Sequence, residues 1–406
     1  MNRTTIFTFL SFLFLQISPL SAATIKDIEG WAVEHSSQLN AEEMEKKALG
    51  AEKETRGRWA NPQLMGQVGT LSSGGISGAT VEVSFTQAVP ISNKYSLRKE
   101  VATLALSRQT EQKEYFENWI KHQALKQAWI VKMKHELYLH GVERAQRLAL
   151  VKKYVMTHPR VSVKQQVELS LIEASMLQME KMQDLRKLEV DQAMNDLAFW
   201  IGKKMTAEEI KLEVPSVDQV RLPVSDENFK NIDLIFAKNQ LESTRTDLSL
   251  IKKERLPDLF LGGGYRVENV VPANHFSYGI IGLNIPLWDT GSNRVETAKA
   301  REARDLKLFE ETNRKTNLKL EKQKEQVLYQ YEQLKRFQFK NVHKQESEIH
   351  NAERGFKQGF LDVVTFLQAE IQTHEVIDQI FISWMDYLEA MSTLQLLRGE
   401  SFQWTK

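Results

Sequence analysis

The chain has 406 residues, with 54 Lys and Arg against 53 Asp and Glu; this is long enough for two or three ordinary domains or one very elongated one, and the balance excludes a global basic field that would recruit nucleic acid. Charged residues are 26% and apolar residues 42% of the chain at a mean hydropathy of -0.41, which argues against both a disordered polymer and a bundle of transmembrane helices. The absence of cysteine excludes disulfides, thiolate zinc sites, iron–sulfur clusters, a cysteine nucleophile and an acylated N-terminal Cys.

Residues 1–23 read as a secretory signal. Arg3 supplies one positive charge, Ile6 to Ile17 is a twelve-residue run rich in Phe and Leu, and small residues follow to a cleavage point after Ala22 or Ala23. The alternative, a membrane anchor, would need a run of roughly 20 apolar residues. No later stretch approaches that length, so any membrane insertion must use strands.

Helix breakers are unevenly spread. Twelve of the 19 glycines and five of the nine prolines (Pro62, Pro90, Pro257, Pro272, Pro286) fall in residues 57–90 and 257–291. The first window predicts strands at about 63–71 and 80–90, joined by the small-residue loop SSGGISG; Val81, Val83, Phe85 and Val89 alternate with Glu82, Ser84 and Thr86, giving one apolar and one polar face. The second predicts strands at about 258–268 and 275–286, with Ile281, Leu283 and Ile285 in alternation. By this register Ser84 belongs to an open polar face. The Gly262–Gly264 triplet is not a phosphate loop, because no helix and no Lys-Ser/Thr follows it.

Between the windows the chain is nearly free of breakers, which predicts helices at about 92–157, 161–201, 291–354 and 360–398. The 63 residues from Ser292 to Arg354 would make one helix of about 95 Å at 1.5 Å per residue, a length that needs coiled-coil partners. Apolar seams support pairing: Ile377, Phe381, Trp384, Leu388 and Met391 on one helix, and Tyr138, Val142, Ala145, Leu148, Val151 and Val155 on another. Reversals near Thr157–Arg160 and Gly355–Gly359 fold each pair into a hairpin.

The two halves repeat one another. Pro62 and Pro257 are 195 apart, Pro90 and Pro286 are 196 apart, and Gly202 and Gly399 are 197 apart. This predicts a first repeat at 24–202, a connector at 203–225 and a second repeat at 226–406, each with only two strands. Four strands cannot close a barrel and open edges are not tolerated in lipid, so several copies would have to contribute to one barrel.

Catalytic signatures are lacking. The nine histidines form no HExxH motif, and His135 and His140 are five apart, so the expectation is solvated histidines and no metal site. Met176, Met179 and Met182 read as a seam on a returning helix rather than a soft-cation ladder. No cofactor is expected.

WANPQL at Trp59–Leu64, VEVSFTQAVPI at Val81–Ile91, RLPDLFLGGGY at Arg255–Tyr265, GLNIPLWDTGSNRVETAKA at Gly282–Ala300 and the C-terminal stretch from Gly359 through DYLEAMSTLQLLRG resemble the TolC-like outer-membrane efflux proteins of Gram-negative bacteria. The resemblance spans essentially the whole mature chain. It implies a mixed α/β membrane protein: duplicated helical hairpins forming long periplasmic coiled coils, and four strands per chain completing a trimeric 12-stranded barrel. The implied role is a passive outer-membrane conduit for small molecules, metal cations or type I secreted proteins, not an enzyme. Its implied partners are two further copies, outer-membrane lipid, a periplasmic adaptor and an inner-membrane pump, with no nucleic acid.

Lipid-facing candidates are Val81, Val83, Phe85, Val89, Ile281, Leu283 and Ile285. The reversals offer Val161, Phe360 and Leu361 for adaptor docking. Relatives carry two aspartates after the second reversal, six and nine residues past a glycine; counted from Gly359 those positions are Thr365 and Gln368, and the nearest acid is Asp362. Asp362 then either forms a displaced acidic ring at the tunnel aperture or is an ordinary acid at a helix N-terminus. The competing reading of the whole chain is a secreted periplasmic coiled-coil structural or adaptor protein without a barrel, against which the alternation at Val81–Val89 argues.

Overall fold

A computed structural model describes residues 23–73, 76–157, 162–220, 222, 230–269, 272–283, 290–338 and 340–403. The signal segment up to residue 22 and the candidates Val161 and Ile285 lie outside the described residues. In chain order the elements are α1 (Ile25–His35), α2 (Ser37–Arg56), β1 (Gln63–Ser73), β2 (Ile76–Pro90), α3 (Lys94–Thr157), α4 (Val163–Ile201), α5 (Ile232–Glu254), β3 (Asp258–Asn269), β4 (Asn274–Leu283), α6 (Ser292–Arg336), α7 (Lys340–Lys357) and α8 (Val363–Arg398). Among the described residues no helix is long and apolar enough to cross a membrane.

The strands form one antiparallel sheet in the order β1-β2-β3-β4. The loop expected around SSGGISG is largely strand: the β1–β2 ladder runs on to Ser72↔Ser77 and Ser73↔Ile76. Small side chains do not interrupt a ladder built from backbone groups, so Ser72, Ser73, Ser77 and Gly78 are paired within the strands. The two hairpins join through β2 and β3, from Ala79↔Asn269 to Pro90↔Asp258.

From the sheet the helices run outward. The 64 residues of α3 span about 96 Å, and Gly141 is the one glycine within it. Two ion pairs fasten its start to the second half of the chain: Lys94 Nζ lies 2.5 Å from Asp258 Oδ2 at the start of β3, and Arg98 NH2 lies 2.6 Å from Glu254 Oε1 at the end of α5. Both α4 and α8 end on a glycine in the left-handed region, Gly202 (φ 73°) and Gly399 (φ 68°). A Cβ at Gly202 would strike the His35 ring, and one at Gly399 would strike the Lys230 carbonyl, so each cap is closed by the segment packed on it.

The main core lies at mid-length, where α1, α3, α4, α6 and α8 converge with the connector residues Ala207, Ile210, Val217 and Val220. The expected α8 seam is inside it, with Ile377, Phe381, Trp384, Leu388 and Met391 all buried. Full burial of such side chains stabilises by roughly 1.5–3 kcal/mol each. A second cluster joins Leu148, Val151 and Val155 of α3 to Ile172 and Met179 of α4, Phe356 of α7, and Val363, Phe366 and Leu367 of α8. A small third cluster of Leu248, Val295 and Ala298 joins α5 to the start of α6.

The helix expected at about 291–354 is broken. It stops at Arg336, and Phe337 takes a non-helical conformation (φ -106°, ψ 69°) before α7 begins. No glycine or proline is involved. Side-chain amides replace the helical donors instead: Gln338 Nε2 donates to the Lys335 carbonyl at 2.8 Å and Asn341 Nδ2 to the Arg336 carbonyl at 3.4 Å. Phe337 meanwhile packs against the main core. The last helix starts at Val363 rather than near 360, because Asp362 is its N-cap.

Candidate functional site

Directly paired residues share a face in an antiparallel sheet. One face therefore carries Leu64 and Val68 of β1, Val81, Val83, Phe85 and Val89 of β2, Leu259, Leu261, Tyr265 and Val267 of β3, and Ile281 and Leu283 of β4. Val81, Val83, Phe85, Ile281 and Leu283 are exposed, Ile281 to 80%; Val89 is half-buried. An apolar sheet face of this extent, open in the single chain, requires a partner surface or lipid.

The opposite face is partly polar and carries its own interactions. Tyr278 donates its hydroxyl hydrogen to the Glu82 carboxylate, and Arg266 NH2 lies 2.9 Å from Glu268 Oε1. A Cβ at Gly264 would run into the Tyr278 hydroxyl, so the glycine clears the slot through which the tyrosine reaches. Ser84, read as an open polar position, is only 6% exposed. It pairs with Gly264, the residue over which Tyr278 lies, and so is covered from that side.

At the far end, Phe360 is 80% exposed, whereas Leu361 turns inward onto Gly355 and packs against the second cluster. Gly359 (φ 79°) makes the reversal possible. Asp362 accepts a hydrogen bond from the Thr365 backbone N–H at 2.7 Å. That bond and the nearby Lys164 charge hold its carboxyl below the usual range. Asp362, Thr365 and Gln368 are all exposed, on a line one turn apart.

Between this end and mid-length the α3–α4–α8 seam is ionic. Arg144 makes a bidentate pair with the buried Glu370, at 2.6 and 2.7 Å. Arg186 pairs with Asp378 at 2.5 Å and donates to the Leu137 carbonyl at 3.2 Å. Burial pushes the Asp378 carboxyl up, against the pull of Arg186. Gly141 has its explanation here, since a Cβ would sit 3.1 Å from Arg186 NH1.

Two histidines overturn the expectation of solvated rings. His122 is fully buried, with Nε2 2.9 Å from the Glu400 carbonyl and Nδ1 3.4 Å from Ser392 Oγ. Burial lowers its pKa to about 4. His374 is buried 3.3 Å from Glu370, and burial, reinforced by Arg144 and Arg147, lowers its pKa to about 3. Of the methionine triplet, Met179 is buried in the second cluster, Met176 packs on it and Met182 is exposed; a three-residue step drifts off the seam.

No protein-family model matches the chain, and no curated protein matches it in sequence. Solved structures do match. The outer-membrane channel OprN superposes with a TM-score of 0.75 at 11% identity, covering 92% of this chain and 89% of that one. The outer-membrane channel MtrE of Neisseria gonorrhoeae, in its open state, gives 0.74 at 13% identity over 93% and 89%. The outer-membrane protein VceC of Vibrio cholerae gives 0.68 at 13% identity over 93% and 97%. The chain has the fold of these outer-membrane channel proteins. Both chains are spanned nearly end to end in each comparison, so the likeness covers sheet and helices together.

Proposed function

We propose that the chain is one subunit of an outer-membrane export conduit, closed by three copies and free of catalysis of its own. The observation that carries this reading is the four-stranded sheet with one apolar face and two edges, β1 and β4, that pair with no further strand among the described residues. Such edges cannot be left in hydrocarbon. Three copies joined edge to edge make a barrel of 12 strands, within the range of membrane barrels. An exposed stripe on α4 (Val163, Val167, Leu171, Leu185, Leu188) supplies an apolar seam for the helical part of the same assembly. The likeness to OprN, MtrE and VceC supports the reading.

In this proposal Val81, Val83, Phe85, Val89, Ile281, Leu283 and Ile285 face lipid, and the face with Glu82 and Arg266 lines the pore. Two structural repeats, 24–202 and 226–406, each contribute one hairpin and one helical pair. The tips carrying Val161, Phe360 and Leu361 meet a periplasmic adaptor, and through it an inner-membrane pump. Asp362, Thr365 and Gln368 line the aperture. The deciding experiment fractionates cells expressing the full-length chain and reconstitutes the purified protein in planar bilayers. Trimers in the outer membrane that conduct ions are the expected result; a soluble periplasmic monomer without conductance would overturn the proposal.

A further inference from the structure

His140 on α3 sits beside two carboxylates from different parts of the chain. Its Nδ1 lies 3.8 Å from Glu346 Oε1 on α7 and 3.9 Å from Glu143 Oε2, one turn along its own helix. The three donor atoms lie within 4.8 Å of one another. Donors around a tetrahedral zinc ion, each about 2.0–2.2 Å from the metal, are separated by about 3.3 Å, so a small rotation of the Glu side chains closes the set. The imidazole is 17% exposed, with its ring 5.5 Å from that of Phe381. Glu143 is exposed at 62% and leaves an entry path and room for a water as fourth ligand.

We propose that His140, Glu143 and Glu346 form a binding site for a divalent cation of the zinc class. The charges suit that ion: two carboxylates and a neutral imidazole balance a dication, and a nitrogen donor favours zinc-type ions over calcium or magnesium. The nearest cation in sequence, Arg144, already has its charge matched by the bidentate pair with Glu370. The site bridges α3 to α7, the segment set off from α6 by the break at Phe337. Occupancy would therefore brace a segment that no continuous helix holds.

The chain carries a built-in comparison. His350 and Glu353 on α7 have the same three-residue spacing as His140 and Glu143, with Nδ1 3.9 Å from the carboxylate, and belong to no such three-donor group among the described residues. The test uses the full-length protein in detergent, stripped with EDTA and dialysed against zinc chloride, with bound zinc counted by elemental analysis and thermal melting followed with and without the ion. One zinc per chain is expected, with a zinc-dependent rise in melting temperature. H140A and E346Q should each weaken binding at least tenfold and abolish that rise, while H350A matches the wild type. E143Q, at an exposed position, provides the same reading should either of the other variants fold poorly. Absence of stoichiometric zinc, or wild-type binding by H140A or E143Q, would overturn the proposal.

Discussion

Tyr278 of β4 passes over Gly264 of β3 to hydrogen-bond Glu82 of β2, tying three strands together on the polar face of the sheet. The neighbouring glycine is placed under a harder constraint. A Cβ at Gly262 would meet the Phe85 carbonyl, a backbone atom that moves only if the strand moves. Gly262→Ala should therefore lower the melting temperature more than Gly264→Ala, for which Tyr278 can swing aside at the loss of one hydrogen bond. Overpacking of this kind costs about 1–3 kcal/mol. Thermal melts of the two purified variants check the order.

Insertion should discriminate between the sheet's faces. Asp at Phe85 or Ile281 puts a charge on the apolar face and should reduce outer-membrane assembly, at about 2 kcal/mol or more per copy if lipid lies there. Ser84, on the other face, makes a poor control because it is covered. Gln67, exposed and paired with Glu82 on the other face, is the better control. Equal amounts of assembled Phe85→Asp and Gln67→Asp would refute the assignment of faces.

Phe360 and Leu361 are adjacent but should fail differently. Leu361→Ser removes contact with Gly355 and the second cluster and should destabilise the fold by about 1–2 kcal/mol. Phe360→Ser should leave the melt unchanged and abolish crosslinking to a periplasmic adaptor. Intact crosslinking of Phe360→Ser would remove that residue from the docking surface.

Asp362 separates a structural from an electrostatic role by choice of substitution. Asn caps a helix as well as Asp does, so Asp362→Asn keeps the bond from Thr365 while removing the charge; Asp362→Ala removes both. If the carboxylate lines the aperture, the Asn variant should keep wild-type stability and lose cation preference in planar bilayers. Unchanged selectivity would leave the residue as a cap alone.

Acid should loosen the C-terminal segment through His122. The ring is neutral in the fold, with its pKa lowered from 6.5 to about 4 by burial, whereas the unfolded chain takes up a proton at the ordinary value. The unfolded state thus binds more protons between those values, so stability is full above pH 6.5 and is lost as pH falls toward 4, by up to about 1.4 kcal/mol per pH unit. Denaturant melts from pH 7 to 4 should show this slope with His374 adding its own over the same range, and His122→Gln should remove only the share that belongs to His122.

What was legible in the sequence was whatever depended on breakers and periodicity. Glycine and proline clustering located the strands, and the spacing of Ile377, Phe381, Trp384, Leu388 and Met391 located a seam that is buried in the fold. The break at Phe337 was not legible because Gln338 and Asn341 produce it, and their amides end helices only when particular carbonyls lie within reach. Ser84 was misread because alternation assigns a face without saying what covers it. The grouping of His140 with Glu346 was invisible for a simpler reason: the two residues are far apart in sequence and meet only through the packing of the hairpins.

The serial arrangement of the three apolar clusters along the chain has a thermodynamic consequence. A compact core shares every loss among all its members, but a chain of clusters joined by long helices behaves more like a row of separately weighted segments. The cluster at the reversals contains far fewer buried side chains than the one at mid-length. Amide protons near Phe356 and Phe366 should exchange through local opening, at free energies well below those near Trp384. The end of the molecule that carries Phe360 can then change conformation without drawing on the stability of the rest.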